Sequence, residues 1–474
     1  MPTSRQVYLL DPQQLDPETI AVTFAKTSRS PQSFQEIAQE LTAEKSADFH
    51  EKWVVGYGHA SVAEHAVLHI AIENISRLAV ESLESNRLAS YTEKSSRYQK
   101  WDPNSYVIPP ELQHHPFLNQ YIETCRYLNE AYQQALPLLR ETAAQENPQQ
   151  PGENDAAWER RLRSLYIDVA RFYLPAASLA NVGMTINARA LEHALRKMLS
   201  HPLQEVRDAG QEIKQVALSS LPTLIRYVDA IPYLQEVQSN LEKEASTIKK
   251  GDQQEDWCNL VYFDRQVEEQ ILAAALFRFG QYGYAQAVER IQTLPITEKE
   301  RLARLLFENL TPRDIPLREL EYGAFVFDLT LDQGAYFELK RHRMMTQTPQ
   351  QLTTHLGYAV PAMLARASLE SHFRKAMQIA RQSCEVLEGQ NPHLASYLVP
   401  NAFNRRVLLS MNLRTARHLV QLRTTPHAHF SIRRVAARMA EQICQSLPLF
   451  SKLLFQTDLP DWQEIERQYF LQTA

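Results

Sequence analysis

The chain has 474 residues, of which 44% are hydrophobic, and a formal net charge of −5. This length allows several domains with sizeable cores, and this charge does not indicate a nucleic acid or a membrane as partner. Its start lacks a signal-peptide pattern, and no stretch approaches the roughly 18 apolar residues of a membrane span, so we expect a cytoplasmic protein.

Two short apolar segments rich in β-forming residues, 67–72 and 325–329, predict strands. After the first, one helix face is formed at helical spacing by Ile75, Leu78, Ala79, Ser82, Leu83 and Asn86, and the segment GAYFELKRHR occupies the same place after the second. We therefore expect each strand to be followed by a helix.

Further helices are expected after Asn187 and Asn412, since asparagine is a favourable N-cap. Long amphipathic patterns also cover 121–139 and 368–387. The whole pattern predicts an α+β fold with helix-rich lobes, each containing a small, mainly antiparallel sheet.

The second half of the chain repeats the first weakly and in the same order. The repeat places Arg87 on Arg343 and Asn187 on Asn412. Two separate blocks in one order favour two homologous lobes over chance similarity. The aligned blocks are 63–91 with 320–348, and 171–198 with 396–423.

A polar, strongly charged stretch at 236–257, with a single Gly251, is interpreted as a helix end followed by a linker. A hydrophilic insertion at 143–161 explains most of the difference in spacing between the two blocks. We therefore predict lobes at 1–240 and 241–474.

The helix expected after Asn412 offers two places for an anion. Asn412 and Arg414 mark its N-terminal end, where N–H groups and the helix dipole favour negative charge, and Arg423 follows about three turns later on nearly the same face. The guanidinium groups of Arg341 and Arg343, on either side of His342, repel each other unless an anion lies between them. A capped surface helix with solvated arginines is the alternative interpretation.

The segment 89–99 carries the groups that a nucleotide needs, namely a carboxylate, two hydroxyls, a guanidinium and an aromatic ring. An ordinary polar loop is the alternative interpretation. These groups belong to Glu93, Ser95, Ser96, Arg97 and Tyr98.

Common catalytic and metal-binding motifs are missing from the sequence. His59 and His65 are not at the spacing of a helical metal pair, and no HExxH or GxSxG motif occurs. The four cysteines are scattered without a CxxC pair, and the 12 glycines form no GxGxxG motif. These patterns argue against a metal site, a cysteine nucleophile and a glycine-rich phosphate loop.

Taken together, these blocks resemble the flavin-dependent thymidylate synthases. The first half matches through Glu64–His65, Ile75–Ser76–Arg77 and NRLASYTEKSSRY, and the second through KRHR, VPNA and SMNLRTARHLVQLR. The resemblance implies FAD as cofactor, dUMP as substrate, methylenetetrahydrofolate as one-carbon donor and NADPH as reductant. It also implies four lobes per assembly, which a homodimer of this chain would supply.

Each half departs from the family pattern where the other keeps it. In the first half, the RHR triplet has become Ser85–Asn86–Arg87 and the arginine ending the helix has become Met198. In the second half, the Ser-x-Arg-Tyr loop is replaced at 351–354 and the arginine before the proline has become Ser396. We therefore predict one type of site, shared between the lobes.

The resemblance assigns roles to residues of both halves, and it makes Arg423 the catalytic residue, stabilising charge on the pyrimidine. The alternatives are a non-catalytic paralogue that binds flavin or nucleotide, and one-carbon transfer to another pyrimidine nucleotide. The implied dUMP-binding residues are Glu93, Ser95, Ser96, Arg97, Arg171, Glu338 and Arg423. The implied FAD-binding residues are Arg341, His342, Arg343, Asn412, Arg414, His418, His65, Arg87, Asn187, Arg189 and His193.

Overall fold

The structure, a computed structural model, describes residues 6–97, 99–248, 256–311, 313–455 and 459–471. Contacts divide the chain into two compact units whose boundaries differ from those of the sequence repeat. Unit 2 combines two segments of the first half of the sequence with the second half. Unit 1 comprises Met1–Ser95, Tyr106–Leu118 and Ala177–Gly251, and unit 2 comprises Ser96–Ser105, Asn119–Ala176 and Asp252–Ala474.

Helices predominate, and long helices cover both of the segments for which they were predicted. In the described part of the chain, no helix combines the length and apolarity that a membrane crossing requires. The α-helices are α1 (Pro17–Thr27), α2 (Phe34–Glu40), α3 (Ala43–Phe49), α4 (Arg77–Glu84), α5 (Leu118–Glu146), α6 (Asp155–Ala170), α7 (Ala188–Leu199), α8 (Gln204–Leu218), α9 (Pro232–Thr247), α10 (Val267–Phe279), α11 (Tyr284–Thr293), α12 (Ile296–Phe307), α13 (Gln333–Leu339), α14 (Ala362–Arg366), α15 (Glu370–Glu388), α16 (Pro392–Ala395), α17 (Leu413–Arg423), α18 (Phe430–Ser446), α19 (Ser451–Leu454) and α20 (Trp462–Tyr469).

Unit 1 contains a three-stranded antiparallel sheet in the order β1–β3–β2. Val67 pairs with Asn187, and Ala89 pairs with Ile186. Both outer strands therefore pair with the strand that leads directly into α7. The strands are β1 (Val67–Ser76), β2 (Ala89–Glu93) and β3 (Leu179–Asn187).

Unit 2 contains a four-stranded antiparallel sheet in the order β4–β5–β7–β6. Without β4, its strand order and connections repeat those of the sheet in unit 1. The prediction of an α+β fold with small antiparallel sheets is confirmed. The strands are β4 (Cys258–Phe263), β5 (Phe325–Asp332), β6 (Thr346–Pro349) and β7 (Asn404–Met411).

Polar side chains set the start of the helices that follow these strands. Asn187 accepts a hydrogen bond from the backbone N–H of Ala190 at 2.9 Å, and Asn412 accepts one from Thr415 at 2.9 Å. Both predicted N-caps are therefore confirmed.

Two details of the sequence interpretation need correction. Ile75 belongs to β1 and not to the following helix, because Ser76 caps α4 by accepting a hydrogen bond from Ala79 N–H at 3.0 Å. The segments of β2 and β6 are strands that the sequence did not predict. Their polar side chains gave no apolar alternation by which to recognise them.

The β5–β7 pair brings the ends of two helices together. Residue Phe325 of β5 pairs with Met411 of β7, and Asp332 pairs with Asn404. Since the strands are antiparallel, α13 and α17 begin at opposite ends of the pair. Their C-terminal ends meet, where Glu338 contacts Arg423.

Candidate active site

Five charged residues of unit 2 form what we name the central charge cluster. Three of them come from the first half of the sequence and two from the second. Arg97 follows β2, Asp168 lies in the last turn of α6, Arg171 begins a short 3-10 helix, Glu338 lies in α13, and Arg423 ends α17. Four of the residues that the sequence predicts for one shared site thus lie within one compact unit.

Arg97 and Asp168 form a two-pronged ion pair. Arg97 Nε lies 2.7 Å from Oδ1 of Asp168, and Nη2 lies 2.7 Å from Oδ2. This paired geometry fixes the plane of the guanidinium as well as its position. Burial raises the pKa of Asp168, although Arg171 and Arg97 oppose that effect. The Arg97 side chain is therefore held in place before any ligand arrives.

Arg171 is only 1% exposed and makes contacts with both halves of the sequence. Its Nη1 donates to Oγ of Ser96 at 3.4 Å, and its Nη2 donates to the carbonyl of Gly334 at 3.2 Å. The Arg171 carbonyl accepts a hydrogen bond from Asn401 Nδ2 at 2.9 Å. Within the described residues its buried Nε has no hydrogen-bond partner. This cation thus lies fixed beside the Ser96 hydroxyl.

Arg423 is held by Glu338 and His342. Its Nη1 lies 2.7 Å from Oε2 of Glu338, and its Nε donates to Nε2 of His342 at 2.9 Å. Burial works to raise the pKa of Glu338, but the field of four arginines, Arg171 foremost, outweighs it and lowers that pKa. Glu338 is therefore ionised and orients Arg423.

His342 is held in its neutral form. Because Nε2 accepts a hydrogen bond from Arg423, the proton of the neutral ring resides on Nδ1. Burial, reinforced by the positive charge of Arg423, lowers the pKa of His342 to about 3. The triplet therefore presents two permanent cations with a neutral acceptor between them.

Acid is expected to destabilise the protein through His342. Its pKa is about 3 when folded and about 6.5 when unfolded, so between these values only the unfolded chain binds the proton. The free energy of unfolding should fall as the pH falls below about 6.5. In urea titrations, the free energy of unfolding should fall between pH 7 and pH 5 by about 2 kcal/mol less for His342→Gln than for the natural chain. An equal fall in both proteins would contradict the low pKa of His342.

Around this triplet lies a cleft of about 480 Å³, which we name the RHR cleft. Five arginines but only two carboxylates line it, so it favours an anion. Guanidinium groups and the N-terminal end of α17 are donors that suit a diphosphate, so the cleft fits the pyrophosphate portion of FAD. The predicted residues at the cleft are Arg341, His342, Arg343, Asn412, Arg414, His418 and Arg423.

The remaining predicted FAD-binding residues lie in unit 1. The Asn187 side chain caps α7, and Arg189 forms an ion pair with Glu64. The exposed His65 lies with its ring centroid 4.9 Å from that of Phe24. Arg87 and His193 are exposed.

Two predicted dUMP-binding residues, Glu93 and Ser95, also belong to unit 1. Glu93 is buried, and its Oε1 lies 3.1 Å from Nη1 of the equally buried Arg77. In this structure that carboxylate holds the arginine of the Ile75–Ser76–Arg77 segment. Tyr98 lies outside the described residues. A nucleotide contact by Glu93 or Ser95 remains a prediction.

The sequence interpretation missed Asp168 and His429. His429 accepts a hydrogen bond from Ser431 N–H at 3.2 Å and donates through Nε2 to the Asp168 carbonyl at 3.1 Å. Burial keeps its pKa well below the ordinary value. Only the spacing of Asp168 and Arg171, about one helical turn apart, could have suggested a charged pair. In the described ranges no cluster of three or more His, Cys, Asp or Glu is placed to hold a metal.

Comparison with known proteins connects these features to one family. The family model described as thymidylate synthase complementing protein matches residues 9–223 and 259–449, which fits the two-part repeat. A UPF0159 protein of Chlamydia muridarum is 31% identical over 88% of this chain and 82% of its own length. Another, from Thermoplasma acidophilum, is 25% identical over 89% of this chain and 91% of its own length.

More distant matches cover about half of the chain. A flavin-dependent thymidylate synthase of Clostridium tetani is 29% identical over 45% of this chain and 82% of its own length. A solved structure from Helicobacter pylori, a flavin-dependent thymidylate synthase complexed with FAD and dUMP, is 18% identical with a TM-score of 0.30. That match covers 44% of this chain and 100% of the other.

Proposed function

The chain belongs to the thymidylate synthase complementing protein family, and from this membership we propose that it is a flavin-dependent methyltransferase. The reaction is the conversion of dUMP to dTMP, with FAD as cofactor, methylenetetrahydrofolate as one-carbon donor and NADPH as reductant. Support comes from the relatives named flavin-dependent thymidylate synthase.

The observation that carries this proposal is the central charge cluster. Each half of the sequence lacks residues that the family resemblance assigns to the site, and the halves lack different ones. Unit 2 nevertheless holds Arg97 and Arg171 from one half together with Glu338 and Arg423 from the other. One cluster thereby retains the arginines assigned to the nucleotide.

Binding of the cofactor is assigned to the RHR cleft. Arg341, Arg343 and the N-terminal end of α17 would hold the pyrophosphate of FAD through charge and hydrogen bonds. When bound, the flavin supplies the hydride that converts the transferred carbon to a methyl group. Neutral His342 keeps Nε2 available as an acceptor that orients Arg423.

The remaining steps fall to the central charge cluster. Arg423 stabilises the negative charge that develops on the pyrimidine ring, and Glu338 orients it for that role. Arg97, already fixed by Asp168, and Ser96 bind the phosphate of dUMP, and Arg171 holds Ser96 in position. A cytoplasmic location and a four-lobed homodimer remain predictions, the second testable by light scattering.

Release of the proton at C5 of dUMP tests the proposal directly. With FAD, NADPH and methylenetetrahydrofolate supplied, tritium from 5-tritiated dUMP should appear in water together with dTMP. The reason is that carbon transfer to C5 must displace that proton. If bound flavin is reduced by NADPH but no tritium is released, the synthase assignment is wrong.

One observation favours a second function, binding of flavin and nucleotide without turnover. The resemblance assigns the Glu93 carboxylate to dUMP, but in this structure the carboxylate forms an ion pair with Arg77. A protein that binds FAD and dUMP in equilibrium dialysis but releases no tritium would match this alternative. Tritium release from another pyrimidine nucleotide such as dCMP, but not from dUMP, would instead indicate a different substrate.

A mixing experiment tests whether one chain supplies the whole charge cluster. Arg97→Ala and Arg423→Ala each damage the cluster of their own chain, because both residues lie in unit 2. Mixing the two inactive variants, with subunit exchange allowed, should therefore restore no activity. Recovery of about a quarter of the natural rate, as random pairing of exchangeable sites predicts, would show that the two arginines come from different chains.

A further inference from the structure

A second cavity of unit 2, with a volume of about 930 Å³, shares Arg97 and Asp168 with the central charge cluster, and the rest of its lining is assigned no role in the reaction above. We name it the basic cavity. It lies along α6 and is lined by six arginines but by only two carboxylates, Glu146 and Asp168. Its volume is typical of a small-molecule site. The arginines are Arg97, Arg160, Arg161, Arg163, Arg366 and Arg433.

Half of these arginines are not neutralised by an ion pair. Within the described part of the chain, Arg160, Arg163 and Arg433 form no ion pair, and the buried Nε atoms of Arg163 and Arg433 have no hydrogen-bond partner. The cavity thus keeps a surplus of positive charge that an anion could balance. The ion pairs of the other three arginines are Arg97–Asp168, Arg161–Glu153 and Arg366–Glu146.

The positive charges are spread along the cavity and not gathered at one point. The lining follows α6 from Arg160 to Val169, which is about 13 Å along the helix axis. Arg160 lies at one end of this path, and Arg97, paired with Asp168, lies at the other. A single phosphate group would reach only part of this distance. An elongated ligand with several separated negative charges matches it better.

Apolar surface lies between the cations. Leu165, Val169 and Met363 line the cavity, and so do the stacked rings of Phe430 and Tyr469, whose centroids are 5.1 Å apart. A polyphosphate has no apolar portion to place there. A chain in which carboxylates alternate with methylene groups satisfies both kinds of surface.

We propose that the basic cavity binds an elongated oligocarboxylate, namely the γ-linked glutamate tail of the folate co-substrate. This assignment rests on the proposed function, since it requires a folate at the reaction site. Arg97 belongs both to the cavity and to the central charge cluster. A glutamate tail bound in the cavity would therefore begin beside the cluster and run away from it. Arg160 and Arg161 lie in the insertion of the first half, which the second half lacks.

Calorimetric titration with a γ-linked oligoglutamate that carries no pterin tests the assignment without any turnover. The natural chain should bind this peptide, and added salt should weaken the binding. The double variant Arg160→Gln/Arg163→Gln should bind it at least about tenfold more weakly, because each arginine supplies a charge-assisted hydrogen bond. The control Arg140→Gln removes an exposed arginine outside the cavity, paired with Glu159, and should leave the affinity unchanged.

Tripolyphosphate provides the competing probe. Absence of oligoglutamate binding by the natural chain, or equal affinity in the double variant, would overturn the assignment. Tighter binding of tripolyphosphate than of oligoglutamate would also overturn it and would indicate a phosphate site. Oligoglutamate binding without tritium release from dUMP would refute the proposed function but leave the cavity an oligocarboxylate site. Tritium release without oligoglutamate binding would refute only the cavity assignment.

Discussion

Replacing Arg423 by alanine is expected to lower the rate of dTMP formation by about 10²–10³-fold, the usual cost of removing one donor that stabilises developing charge. Arg423 is fixed by Glu338 at 2.7 Å and by His342 at 2.9 Å, so its guanidinium is oriented before substrate binds. The effect should appear mainly in kcat, because the contact strengthens in the transition state. Steady-state tritium release measures it.

One further variant separates charge from geometry at this position, and a second, at another arginine, serves as a control. Arg423→Lys keeps the charge but lacks the planar fork that contacts Glu338 and His342 together, so most of the activity should still be lost. Arg196→Ala is the control, since Arg196 lies near the end of α7, is half-buried and forms an ion pair with Glu192 at 2.7 Å. An Arg423→Ala protein with a normal kcat would remove this residue from the proposed mechanism.

Replacing Arg171 by methionine is expected to lower the free energy of unfolding by about 3–5 kcal/mol, the usual cost of removing one partner from a buried charged network. Arg171 is 1% exposed and provides positive charge to the buried Asp168 and the half-buried Glu338. Without it, both carboxylates lose a compensating cation inside the protein. Chemical denaturation at neutral pH measures the loss.

Controls distinguish loss of the network from general damage. Arg126→Met, which changes an exposed arginine of α5, should cost less than about 0.5 kcal/mol. The double variant Arg171→Met/Asp168→Asn should lose less than the sum of the two single variants, because the neutral amide no longer requires the cation. Additive losses would show that Arg171 and Asp168 are not coupled.

Much of the fold could be predicted because local patterns determine it. Short apolar segments rich in β-forming residues indicated β1 and β5, and helical spacing indicated α5 and α15, in agreement with the structure. The N-caps at Asn187 and Asn412 could be predicted because an N-cap depends only on residues within one turn. The strands β2 and β6 could not be predicted from their own polar side chains, because they form by pairing with β3 and β7.

Four residues of the central charge cluster could be named from the sequence, but the contacts between them could not. Family resemblance named Arg97, Arg171, Glu338 and Arg423, and the structure places them in one unit. That Asp168 would hold Arg97 could not be predicted, since ion pairs between residues distant in sequence leave no local pattern. The ion pair between Glu93 and Arg77 could not be predicted for the same reason.

The mixed composition of unit 2 has a consequence for the history of the chain. Residues 96–105 and 119–176 fold with the second half, so neither half alone retains the complete charge cluster. If the two homologous lobes descend from two ancestral copies joined in this way, each copy could lose what the other still supplied. Every such loss would make separation into independent genes more harmful. Complementary loss would therefore make the fusion permanent.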